Sequence, residues 1–179
     1  MITKPKKALV VLILLISSFA ISHTSDAQIK LTKGTDARRL FVYNFMKYVF
    51  WPNEDINKEF VITIVNNEEM YTSLSTSLNG SIHRGRKVVV KQVNDVNDIH
   101  EPSIVYLPKE ESRHFKSIQK QVTGKATLLI TDQQGLGKEG SSINFKEVNK
   151  YLKFEINMES MEKSHLRVAM PLKQLAIII

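Results

Sequence analysis

The first strongly patterned stretch of the chain carries apolar residues at helical spacing. Phe41, Phe45, Val49 and Pro52 follow one another at intervals of four, four and three, which places them on one face of a helix. Other apolar residues cover much of the remaining surface, so we expect this helix to be buried by its own domain or by a partner. Because Pro52 lacks an amide proton and disfavours helical backbone in the residue before it, the pattern predicts a helix that ends at Trp51.

Four apolar runs further along the chain predict buried strands. They are residues 59–65, 87–93, 103–107 and 126–131. Helical patterns over residues 68–78 and 108–122 separate them. Strands that alternate with helices are joined by crossover connections and form a parallel sheet covered on both faces. The pattern therefore predicts an α/β fold, a three-layer sandwich around a mostly parallel sheet of the flavodoxin or Rossmann kind.

The last third of the chain departs from this alternation. Residues 142–148 and 151–157 predict two strands joined by the short turn Asn149-Lys150, a hairpin that adds antiparallel strands at one edge of the sheet. Residues 158–176 have apolar residues at helical spacing and predict one final helix, which Pro171 kinks.

The N-terminal region has the three parts of a secretory signal. Lysines precede an apolar run at residues 8–16, and Ala27 supplies a small residue where a signal peptidase cuts. We expect residues 1–27 to be a cleaved signal peptide, residues 28–34 a short lead-in, and residues 35–179 a single domain. The rival interpretation is an uncleaved membrane anchor, which the short apolar run disfavours.

The chain is basic and contains no cysteine. Lys and Arg number 25 against 18 Asp and Glu, a formal charge of +7, and the chain after the signal carries +5 because the signal holds three Lys and one Asp. An exported protein meets little nucleic acid, so we expect no nucleic-acid partner and favour a solvated basic surface over one that faces an acidic protein or anionic head groups. The absence of cysteine excludes disulfides, thiol catalysis and a lipoprotein anchor.

Two motifs match cofactor or metal signatures in their letters but lack the required setting. Residues 135–140 read G-x-G-x-x-G, yet they precede a predicted hairpin and offer no helix N-terminus to a pyrophosphate. Glu111 with His114 and Glu162 with His165 repeat the Glu-x-x-His spacing of di-iron proteins, which need a four-helix bundle that the predicted strands contradict. We therefore expect no cofactor and no metal.

Polar residues follow three of the predicted strands. Parallel sheets bind small ligands at the carboxyl ends of their strands, where the strand order reverses. Asn66, Lys109 and Asp132 lie at such ends and are our candidates for a ligand crevice. The sequence has no G-x-S-x-G elbow and no recognisable set of nucleophile, base and orienting residue, so it indicates no catalytic residues.

Distinctive motifs stand at both ends of the predicted domain. The stretch LFVYNFMKYVFWP, residues 40–52, resembles the opening helix of the YfiR family, small periplasmic proteins of Gram-negative bacteria. Near the C-terminus, a glycine-led strand ends in Asn144-Phe145, a second strand ends in Phe-x-Ile-Asn at Asn157, and a helix ends in Leu-x-x-Leu-Ala at Ala176. These motifs bracket nearly the whole predicted domain.

The resemblance implies a periplasmic α/β sandwich with no catalytic role and no cofactor. The best-known family member binds the periplasmic part of an inner-membrane diguanylate cyclase and keeps it inactive, which lowers cyclic di-GMP and biofilm formation. Family members commonly dimerise, so we expect a homodimer. Related domains are joined to sensor kinases, and the alternative function is therefore a periplasmic small-ligand-binding module that serves a sensor kinase or receptor. A periplasmic enzyme is the least favoured alternative, because the sequence contains no recognisable set of catalytic residues.

A repressor of this kind needs an apolar contact surface with an aromatic anchor. Tyr43, Tyr48, Phe50 and Trp51 are the candidates, provided that part of the first helix is exposed. On this hypothesis, Trp51→Ala weakens binding of the membrane partner more than it weakens folding.

Overall fold

The computed structural model describes residues 34–52 and 55–179, all within one compact unit that spans residues 31–179. The predicted signal peptide and the lead-in as far as residue 33 lie outside the described residues. No helix in the described part of the chain is long and apolar enough to cross a membrane.

Helices and strands alternate through the described residues. The helices are α1 (Gly34–Tyr48), α2 (Glu68–Leu78), α3 (Phe115–Val122), α4 (Met158–Lys163) and α5 (Met170–Leu175), with 3-10 turns at Val96–Asp98 and Lys109–His114. The strands are β1 (Val49–Phe50), β2 (Phe60–Val65), β3 (Ile82–His83), β4 (Arg86–Val93), β5 (Ile104–Leu107), β6 (Leu128–Thr131), β7 (Ile143–Val148), β8 (Tyr151–Ile156), β9 (Arg167–Val168) and β10 (Ile177–Ile178).

Eight of these strands form one curled sheet in the order β10-β8-β7-β6-β5-β2-β4-β3. The five strands β4, β2, β5, β6 and β7 run parallel, and their order across the sheet is the flavodoxin-like one. β8 pairs antiparallel with β7. The predicted mostly parallel sheet with a C-terminal hairpin is confirmed, with one addition: β10 pairs in parallel with β8 and takes the edge position.

Alternate residues of the central strands point to opposite faces of the sheet, and each face has its own apolar core. In β5, Ile104 and Tyr106 belong to the core that holds Phe45 of α1, together with side chains of α2 and α5. Val105 and Leu107 belong to the core beneath α3. Both faces of the sheet are therefore covered, and the predicted three-layer sandwich is confirmed.

The first helix ends earlier than its sequence predicts. α1 ends at Tyr48, and the next two residues form β1, which pairs antiparallel with β9 in a separate two-stranded sheet. Successive side chains of extended backbone alternate, so Val49 is buried, Phe50 is 37% exposed and Trp51 is buried again. The predicted end at Trp51 is wrong because a distant strand, which local periodicity cannot reveal, captures this backbone.

The predicted helix over residues 158–176 is also wrong. β9 separates α4 from α5. His165 has left-handed backbone, with φ of 57°, and Leu166 is buried in the core, so the chain turns inward instead of continuing the helix. Pro171 lies in the first turn of α5, where a missing amide proton costs no helical hydrogen bond, and it therefore starts a helix rather than kinking one.

The β7–β8 hairpin closes at the two residues that the sequence predicts. Asn149 and Lys150 both have positive φ, 52° and 66°, as in a type I′ turn. Glycine or asparagine is usual at such positions because a side chain crowds left-handed backbone. Lys150 is an exception, and it places a cation at the tip of the hairpin.

Candidate functional site

A cavity of about 400 Å³ opens at the carboxyl ends of β5 and β6, and we call it the carboxyl-edge cavity. Its lining comes from α1, from the segments after β5 and β6, and from the β7–β8 hairpin. The lining residues are Gly34, Arg38, Lys109, Asp132, Gln133, Gln134, Phe145, Lys146, Glu147, Lys150 and Leu152. Four of them are cationic and two are anionic, so the lining carries net positive charge.

A bidentate ion pair between Arg38 and Asp132 forms one wall of the carboxyl-edge cavity. Arg38 Nε donates to Asp132 Oδ2 at 2.6 Å, and Arg38 Nη2 donates to Asp132 Oδ1 at 3.0 Å. Tyr106, on β5, donates its hydroxyl to Asp132 Oδ2 at 3.3 Å. The Arg38 guanidinium also lies 5.7 Å from the centre of the Phe145 ring. These contacts fix the start of α1 against the edge of the sheet.

Burial and the Asp132 carboxylate change the proton affinities of both partners. Burial alone lowers the pKa of the Arg38 guanidinium, but the hydrogen bond and charge of Asp132 raise that pKa above its ordinary value. Burial is the main reason that the pKa of the Tyr106 phenol is raised, and the Asp132 charge adds to it. Tyr106 therefore stays a neutral hydrogen-bond donor throughout the physiological pH range.

The structure brings Lys109 and Asp132 together in this cavity but leaves Asn66 out of it. Asn66 Nδ2 donates to Glu111 Oε1 at 2.8 Å, and Glu111 Oε2 also accepts from Arg113 Nη2 at 2.8 Å. The polar groups at the ends of β2 and β5, where the strand order reverses, are thus paired with each other. No sequence pattern points to Arg38, because 94 positions separate it from Asp132.

Apolar and aromatic side chains are exposed on α1 and on the short strands β1 and β3. Tyr43 is 55% exposed, Phe50 37% and Ile82 68%. Two neighbouring cavities of about 280 and 270 Å³ lie against this surface and share Tyr43 and Leu78 in their linings. We call the surface formed by Tyr43, Phe50 and Ile82 the aromatic face.

Cationic side chains surround the aromatic face. The Arg84 guanidinium lies 4.4 Å from the centre of the Phe50 ring, and the Arg167 guanidinium lies 5.9 Å from it. Arg39 and Lys47 line the two cavities, whose described linings contain no carboxylate. The aromatic face is therefore an apolar patch within a positive rim.

The other two aromatic candidates are packed inward. Trp51 is 6% exposed, its ring centre lies 4.9 Å from that of Phe60, and its Nε1 donates to the Ser103 carbonyl at 3.1 Å. Tyr48 is partly buried against the main core. Of the four candidates, the structure leaves Tyr43 and Phe50 most available to a partner, and it makes Trp51 a core residue.

The glycine-rich loop packs against the protein itself. A methyl group at Gly137 would lie 2.6 Å from Glu155 Oε2, so this glycine is needed for close approach to a buried side chain. Of the Glu-x-x-His pairs, His114 Nε2 lies 3.4 Å from Glu111 Oε2. Among the described residues, no group of three or more His, Cys, Asp or Glu could hold a metal ion.

The fold defines a class, the small three-layer α/β domain with flavodoxin-like strand order. The YfiR/HmsC-like family matches residues 35–177, and the chain belongs to that family. The family is periplasmic, regulatory and non-catalytic, and it suggests a regulator of a diguanylate cyclase. A comparison with curated proteins found no match.

Proposed function

We propose that this protein is an exported, non-enzymatic repressor that binds the periplasmic domain of an inner-membrane diguanylate cyclase through the aromatic face. Residues 1–27 are its cleaved signal peptide in this proposal. Family membership supports the choice of target. The observation that carries the proposed contact is the exposure of Tyr43, Phe50 and Ile82 beside two surface cavities.

The aromatic face suits a binding anchor because its backbone is held in place. Tyr43 lies on α1, whose other side packs Phe45 into the main core, and Phe50 lies on β1, which pairs with β9. Rigid aromatic side chains lose little conformational entropy on binding, and tyrosine is among the residues that dominate binding energy at interfaces. A partner that covers this face gains apolar burial at a small ordering cost.

The positive rim selects an acidic partner surface. Lys47 and Arg167 lie beside the apolar patch, as does Arg39, whose Nη2 is 4.0 Å from Asp36 Oδ1. Complementary charge raises the association rate and disfavours wrong partners. Binding of this kind weakens as salt screens the rim. Repression further requires that the protein bind the inactive state of the cyclase more tightly than the active state, since equal affinity shifts no equilibrium.

Titration of the exported protein against the purified periplasmic domain of its host's diguanylate cyclase tests this contact. We expect Tyr43→Ala to raise the Kd about tenfold or more, as for a binding anchor. Tyr151→Ala is the matched control, because Tyr151 is 71% exposed and lies on β8 rather than on the aromatic face. Equal effects of the two substitutions, or no binding by the wild type, would contradict the proposal.

A second candidate function is a small-ligand module that serves a sensor kinase or receptor. The carboxyl-edge cavity favours it, because about 400 Å³ lies within the range of small-molecule sites and Lys109 and Asp132 both line it. Co-purification of a small molecule, together with a Kd for the cyclase domain too weak to measure, would place this function first.

A further inference from the structure

We infer that the carboxyl-edge cavity binds a small anionic molecule, one that presents a carboxylate or phosphate group to Lys109 and Lys150. This inference does not depend on the proposed repression, because it follows from the charge and shape of the cavity alone.

The charges that line the cavity are incompletely balanced. Asp132 is committed to Arg38 through both carboxylate oxygens. Lys146 Nζ lies 3.1 Å from Glu155 Oε1, and the Glu155 side chain is only 7% exposed. Lys109 and Lys150 take part in no ion pair among the described residues, and Glu147 is the remaining anion of the lining. The net positive charge of the lining would attract an anion into the cavity.

The hairpin turn supports the same assignment. Lys150 occupies left-handed backbone with φ of 66°, a conformation that costs a residue with a side chain about 1 kcal/mol or more. Glycine would avoid that cost at a turn position of this kind. The chain instead places a lysine there, and this lysine lines the cavity.

The volume of the cavity and the polar groups that line it limit the size and polarity of the ligand. The Arg38–Asp132 ion pair forms part of the lining, as does Phe145, which is 1% exposed. Gln133 and Gln134 add amide groups to the lining. A volume of about 400 Å³ is near the lower end of the range for ligand sites. The ligand is therefore a compact polar anion rather than a polymer.

Amide chemical-shift titrations of the exported protein with inorganic phosphate and, separately, with citrate test the inference at constant ionic strength. We expect saturable shifts at Lys109, Phe145 and Lys150 with at least one probe, and the tighter probe distinguishes a phosphate from a carboxylate ligand. The double substitution Lys109→Ala with Lys150→Ala should weaken binding about tenfold or more, the loss expected for one charged hydrogen bond.

Lys120→Ala is the matched control, since Lys120 is an exposed lysine on α3 outside this lining. Circular dichroism establishes that the lysine variants are folded. The inference is overturned if neither anion gives saturable shifts below about 10 mM, an affinity limit of roughly −2.7 kcal/mol. It is also overturned if Lys120→Ala weakens binding as much as the double substitution, because the effect would then be general charge screening.

Discussion

Replacement of Trp51 by alanine tests whether this side chain stabilises the protein core or contacts a partner. The side chain is 6% exposed, packs edge-on against Phe60 and donates to the Ser103 carbonyl. Removal of a buried tryptophan leaves a cavity and costs about 3–5 kcal/mol. Trp51→Phe keeps a ring but loses the N–H donor, and it should cost only about 1 kcal/mol beyond the change in packing, because the Ser103 carbonyl also accepts from the Leu128 amide.

Urea unfolding followed by far-ultraviolet circular dichroism measures these costs, since Trp51 is the only tryptophan and its removal abolishes the usual fluorescence signal. With an m-value of about 2 kcal/mol per molar, Trp51→Ala should lower the unfolding midpoint by about 2 M. Tyr43→Ala, at a residue 55% exposed, should change stability by no more than about 0.5 kcal/mol. A midpoint for Trp51→Ala no lower than that for Tyr43→Ala would refute the assignment of Trp51 to the core.

Two further predictions concern the sheet and its glycine-rich loop. Because the folded-state pKa of Tyr106 is raised, its contribution to stability is present below the unfolded pKa of about 10 and is lost as pH rises, by roughly 1 kcal/mol at pH 11. Tyr106→Phe should therefore flatten the decline in unfolding free energy between pH 9 and 11, and an unchanged decline would contradict the pKa argument. Gly137→Ala forces a methyl group against Glu155 and should destabilise by about 1–3 kcal/mol in thermal unfolding. An unaltered melting temperature would show that the loop relaxes freely.

Local sequence pattern was sufficient for the central sheet and insufficient at the two ends of the domain. β2, with six buried residues, and its helical connections followed from apolar runs and turn residues. β1 and β9 did not, because each is two residues long and is defined only by its distant partner. The exposure of Phe50 between buried Val49 and Trp51 follows from extended backbone, whereas a helical projection gives a different set of exposed side chains.

Prediction of the candidate site was also limited by contacts between distant parts of the chain. Lys109 and Asp132 line the same cavity, as expected from the convergence of the carboxyl ends of parallel strands, a rule that needs only the strand assignments. Asn66 satisfied the same rule but is bonded to Glu111, a contact that depends on side-chain packing. Arg38 closes the cavity from another layer of the sandwich, and no local pattern links it to Asp132.

The most direct test of the central claim is the cyclic di-GMP concentration of the native host after deletion of the gene. The account predicts a rise that is reversed by the wild-type exported protein and by Tyr151→Ala, but not by a stable variant that carries both Tyr43→Ala and Phe50→Ala. An unchanged cyclic di-GMP level after deletion would contradict repression of a cyclase. Full complementation by the double variant would contradict the role of the aromatic face.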